Sequence, residues 1–200
     1  MKIIIAVVLI IPSIVFSQQF LLIKERLPID SVIMLENAIN STKESNPPLT
    51  YLSKDYYVPD KEYDLAQPLD FIRQEPFFVA DCYVEYFFNK NDSIITVVLH
   101  TWDYINEKER ENYVKGKYSE KERLAMYNNK FESIYSQLVS QIGISDSTGN
   151  ITREINEDKI LCRRKYEWIN DKYKIDLWLS WVEQYWFYSN LRIRLSVLLK

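Results

Sequence analysis

The sequence predicts an α+β fold: an antiparallel sheet of about five strands, built from a hairpin plus a three-strand meander. A long amphipathic helix covers it, and an N-terminal helix and a Pro-rich irregular segment come before it. Three observations carry this expectation. Residues 77–102 and the last forty residues alternate apolar and polar side chains with period two, residues 119–142 repeat apolar side chains at three-four spacing, and five of the seven prolines fall between Pro47 and Pro76. With 47% apolar and 14% aromatic side chains in 200 residues, the chain has material for one substantial core, which excludes disorder and suits a single domain over residues 18–200. A formal charge of -3 argues against a nucleic-acid partner.

Met1 and Lys2 precede an apolar run from Ile3 to Phe16. A helix crossing a bilayer needs about 20 apolar residues, so this run is too short to span. Pro12 interrupts it and the small Ser17 ends it, which suits a signal peptide over residues 1–17 cut before Gln18. The mature chain is then secreted or periplasmic, with no integral membrane span after cleavage. Phe20 to Ile23 is apolar again, so a retained anchor is the alternative.

Residues 28–42 are expected to form a helix capped by Asp30, with Ile29 and Met34 as a hydrophobic staple and Ile33, Met34 and Ala38 facing inward. The proline-rich stretch after it carries Tyr51, Tyr56, Tyr57 and Tyr63 and reads as ordered loop. In the hairpin, Phe78, Ala80, Cys82, Val84, Tyr86 and Phe88 share one face of the first strand, and Ile95, Val97 and Leu99 one face of the second. A turn at Asn89 to Asp92 sets Tyr86 beside Ile95, Val84 beside Val97, Cys82 beside Leu99 and Asp81 opposite His100.

Asn106 to Val114 is expected to be a short helix leading into a longer one. Ser119 and Glu122 make a capping box, Leu124, Tyr127, Phe131, Ile134, Tyr135, Leu138 and Ile142 form the inner stripe, and Gly143 stops the helix. Ile144 to Asp158 reads as a polar connection. The meander follows. A two-residue turn at Asn170-Asp171 pairs Tyr166 with Ile175 and Cys162 with Leu179 inside, and Lys165 with Asp176 and Glu167 with Lys174 outside. A last strand from Leu191 to Leu199 needs a bulge near Tyr185 to join in phase.

Most catalytic signatures are missing. Gly116, Gly143 and Gly149 are the only glycines, so no phosphate-cradling loop, dinucleotide fingerprint or nucleophile elbow is present, and no cofactor is expected. A single histidine rules out a multi-His zinc site, and no metal is expected. Two acidic stretches, Asp60, Glu62 and Asp64, and Asp146, Thr148, Asn150 and Glu157, approach calcium-loop spacing but lack the glycine that the turn requires. Asp81 beside His100 would be a general-base dyad with Tyr83 or Glu85 nearby, or else an exposed cross-strand pair of little energetic weight.

Cys82 and Cys162 have one available pairing. A disulfide closing a loop of about 80 residues would contribute roughly 4.5 kcal/mol. Both lie on core faces, so a bridge requires their strands to be neighbours; otherwise they remain buried thiols. Trp178 points outward, opposite Arg163; with Arg192 and Arg194 it makes a platform for a sugar ring or peptide, or else a second layer such as the Pro- and Tyr-rich segment covers that face. The leading expectation is an exported, non-catalytic binding or envelope-associated module with a protein, glycan or peptide ligand. The alternatives are a small hydrolase using Asp81 and His100, and an inhibitor or immunity-type protein-binding module.

Overall fold

A computed structural model describes residues 22–47, 49–50, 52, 64–103, 118–156, 159–184 and 187–200. The leader, the Asn106–Val114 helix and the four loop tyrosines lie outside them. Among the described residues, eight strands form one antiparallel sheet: β1 (Thr42–Lys43), β2 (Leu69–Arg73), β3 (Cys82–Phe88), β4 (Ile95–Asp103), β5 (Ile151–Asn156), β6 (Lys159–Ile169), β7 (Tyr173–Gln184) and β8 (Phe187–Leu199). Their order is β1-β2-β3-β4-β8-β7-β6-β5, and the described helices are α1 (Ile29–Ala38) and α2 (Glu120–Ile142). The molecule is therefore mostly sheet, and the five-stranded α+β expectation is corrected to eight strands.

The additional strands come from places where alternation gives no signal. Pro68 and Pro76 flank β2 rather than interrupt it, so the proline-rich stretch can still contribute a strand. All of β5 is exposed, and a strand with no buried face has no reason to alternate.

The hairpin register also differs from expectation. Val84 pairs with His100, Tyr86 with Val98 and Cys82 with Trp102, and the register shifts between Phe87 and Phe88. Phe87 pairs with Val97 and Phe88 with Ile95, leaving Thr96 as an extra residue that turns Ile95 to the opposite face from Val97. Every residue of β4 from Ile95 to Trp102 is buried, so hydrophobicity does not distinguish its two faces.

In the meander, Tyr166 pairs with Leu177 and Cys162 with Trp181. The turn is two residues long, as expected, but sits at Asp171-Lys172. Asn170 Oδ1 accepts from Lys172 N and Tyr173 N, both at 2.9 Å, so the asparagine flanks the turn. The bulge joining β7 to β8 lies between Ser180 and Val182, opposite Asn190 at φ 53°.

One face of the sheet carries the main core. Helix α2 starts with the expected Ser119–Glu122 capping box and buries Tyr127, Phe131, Ile134 and Leu138. Tyr135 stacks on Tyr166 at 3.9 Å between ring centres, and Trp168 Nε1 donates to Gly143 O at 2.9 Å. Helix α1 departs from its expected face: Pro28 is the N-cap, Val32 and Glu36 are buried, and Met34 is 65% exposed. The opposite, outer face has a smaller core of Phe87, Val97, Leu99 and Leu198, against which Leu52 and Leu65 pack.

Candidate functional site

Directly paired residues of an antiparallel sheet point to the same side, so the register defines the outer face row by row. One row runs Lys165, Trp178, Arg194, Thr101, Tyr83 across β6, β7, β8, β4 and β3. The next runs Arg163, Ser180, Arg192, Asp103. Trp178, Arg163, Arg192 and Arg194 are thus brought onto one face in two adjacent rows.

Their partners differ from those expected. Trp178 lies opposite Lys165, whose ammonium sits 4.8 Å from the ring centre, and Arg163 lies opposite Ser180. Arg192 Nε donates to Asp103 Oδ2 at 2.6 Å, and Arg163 is 3.9 Å from Glu154. Beside Trp178, Lys165 bridges Glu167 at 2.7 Å and Asp176 at 2.8 Å, and Lys174 lies 3.4 Å from each acid. Hydrogen bonding from Lys165 holds the Glu167 carboxyl at about 2, whereas burial raises its neighbour Asp176. The platform is therefore a half-buried indole set in a lattice of alternating charge.

At the far end of the face lies an acid pair that the sequence does not announce: Glu85 was expected near the Asp81–His100 dyad, not opposite Asp70. Asp70 and Glu85 are cross-strand partners on β2 and β3, 1% and 7% exposed. Tyr83 Oη donates to Asp70 Oδ2 at 2.7 Å. Burial is the main cause raising both carboxyls; Glu44 adds to it at Asp70, and Asp70 adds to it at Glu85. The only local signal was an acid at alternate positions of an apolar strand, Val84-Glu85-Tyr86, with its partner hidden in the proline-rich stretch.

His100 is fully buried, on the helix-facing side, between its strand partners Val84 and Leu195. Burial, followed by the charge of Arg73, pushes its proton affinity well below the usual imidazole range, so the ring is neutral. Asp81 precedes β3, and its Oδ1 accepts from Glu75 N at 2.9 Å. The two are not strand partners, because the expected register does not form.

The helix-facing side holds its own polar groups. Arg73 donates to Glu36 Oε2 at 3.1 Å and to Tyr86 Oη at 2.9 Å, and Tyr86 Oη donates to Glu36. Burial alone would raise Glu36, but the Arg73 guanidinium and these hydrogen bonds outweigh it and lower it. Glu75 Oε1 accepts from Trp102 Nε1 at 3.1 Å and from Lys130 Nζ at 2.9 Å, tying the β2–β3 loop to α2. These networks join α1 to β2 and β3, and the β2–β3 loop to β4 and α2.

Both cysteines are free and buried. Strands β4, β8 and β7 stand between Cys82 on β3 and Cys162 on β6. At about 4.8 Å per strand spacing they are far beyond disulfide reach, which corrects the candidate bridge. Burial pushes the Cys162 thiol up to about 11 and Cys82 higher still.

Among the described residues no group of three or more His, Cys, Asp or Glu side chains could hold a metal ion, and no helix is long and apolar enough to cross a membrane. Asp60, Glu62 and Glu157 of the calcium-like stretches lie outside the described residues, and Asp146 Oδ2 accepts from Ile169 N at 2.8 Å. Compared with family models, curated proteins and solved structures, the chain matches none of them.

Proposed function

We propose that the protein is an exported, non-catalytic binding module that takes a peptide or glycan on the outer face of its sheet around Trp178. The observation that carries this reading is the shared face of Trp178, Arg163, Arg192 and Arg194 in two neighbouring rows across β6, β7 and β8. A flat indole flanked by cations and carboxylates offers an apolar surface to stack on and donors and acceptors to orient a polar ligand. The hydrolase reading is not carried forward, because His100 is sealed within the helix-side core.

Glycan and peptide arrays probed with the mature chain test the proposal. Trp178→Ala is expected to weaken any captured ligand at least tenfold, about 1.4 kcal/mol or more, with little change in thermal stability, while Ser133→Ala on the opposite side leaves binding intact. Capture that is indifferent to both Trp178→Ala and Arg194→Ala, or no capture at all, contradicts the reading.

A further inference from the structure

We propose that Asp70 and Glu85 share a single proton and form a proton-dependent clasp between β2 and β3, which secures the β1–β2 end of the sheet in acid and loosens it as the pH rises.

The register places the two carboxyls directly opposite each other, where Cβ atoms are about 5 Å apart. Both are almost wholly removed from water. Two carboxylates so close and so poorly solvated cannot both ionise cheaply, so one retains a proton where an exposed pair would have released both. One oxygen of the pair is left without a donor. Asp70 Oδ2 is occupied by the Tyr83 hydroxyl, whereas Asp70 Oδ1 is buried and has no hydrogen-bond partner. Thr50 hydrogen-bonds Glu85. Protonating Asp70 at Oδ1 removes a buried negative charge that no donor meets.

Among the described residues, the groups facing the pair offset its charge only in part, since both carboxyls stay raised. Glu44, following β1, adds a third negative charge near Asp70; Tyr83 on β3 is held in its neutral form; β4 contributes Leu99 and Thr101; and Arg194 on β8 is the one cation acting on Glu85. Thr101 Oγ1 is likewise buried without a hydrogen-bond partner, so it donates to neither carboxyl.

The clasp sits where the sheet is least secured. Strand β1 pairs with β2 at only two positions, Thr42 with Ile72 and Lys43 with Phe71, and Glu44 N donates to Asp70 O at 2.9 Å. Repulsion between ionised Asp70 and Glu85 therefore acts on a five-residue strand supported on its other side by two residues. Because the folded state holds this proton more tightly than the unfolded chain, the contribution is present in full below the ordinary carboxylate range. It is lost as the pH rises through the raised values. The proton leaves to solvent, and no other reactant is needed.

Carbon-detected NMR titration of the side-chain carboxyls in the full mature chain, with amide exchange of β2 followed in parallel, tests the proposal. One member of the pair is expected to titrate well above the ordinary carboxylate range, and protection of the Asp70–Arg73 amides is expected to fall about tenfold across the same step. In Asp70→Asn, Glu85 should titrate about one pH unit or more lower, and the step in protection should vanish. Glu85→Gln is the reciprocal variant, and the wild-type titration stands without either. Two ordinary, independent carboxyls, a Glu85 unmoved by Asp70→Asn, or β2 protection that ignores the titration would each overturn the clasp.

Discussion

Glu167 and Asp70 occupy opposite ends of one cross-strand row, and their surroundings move their protons in opposite directions. Lys165 and Lys174 lower Glu167 to about 2, so its contribution to stability holds above the ordinary carboxylate range and is lost as the pH falls toward that value. Asp70, raised by burial, contributes with the reverse sign. At Gly149 the constraint is steric. Its φ is +65°, and an added Cβ would lie 2.2 Å from Tyr166 Cζ, in a ring already stacked on Tyr135. Gly149→Ala is expected to cost about 2 kcal/mol or more, read as a lower urea midpoint with an unchanged slope. A variant as stable as the wild type would mean that Gly149 does not lie against the Tyr166 ring.

At the scale of the element, turn chemistry decides the β6–β7 register. Asn170 Oδ1 holds two backbone amides ahead of Asp171-Lys172, so Asn170→Ala is expected to lose about 1–2 kcal/mol in a denaturant titration, while Asp171→Ala loses little. Equal losses would return the turn to Asn170-Asp171. Sequence periodicity placed these strands on their correct faces, because shifting the turn by one residue moves each partner by two and preserves parity. It failed at β3–β4, where Val97, Val98 and Leu99 are all buried and Thr96 bulges, so alternation carried no register. The capping box of α2 was legible because its two residues are three apart. The inward face of α1 was not, because buried Glu36 depends on Arg73, 37 positions away.

For the whole molecule, the decisive contact is β4 against β8, which joins the hairpin to the meander and makes eight strands continuous. Nothing local in the sequence announces it: Val97 meets Leu198, a pairing across half of the 200-residue chain. It separates the two cysteines and aligns Thr101, Arg194 and Trp178 in one outer row. That Trp178, Arg163, Arg192 and Arg194 share the outer face was therefore legible, since it follows from the parity of each strand, whereas a dyad of Asp81 with His100 required the hairpin register itself. Backbone NOEs between Thr101 and Arg194 and between Arg194 and Trp178 test this arrangement most directly. The account predicts cross-peaks for both pairs. Cross-peaks from β4 to β6, or none between β4 and β8, would contradict it.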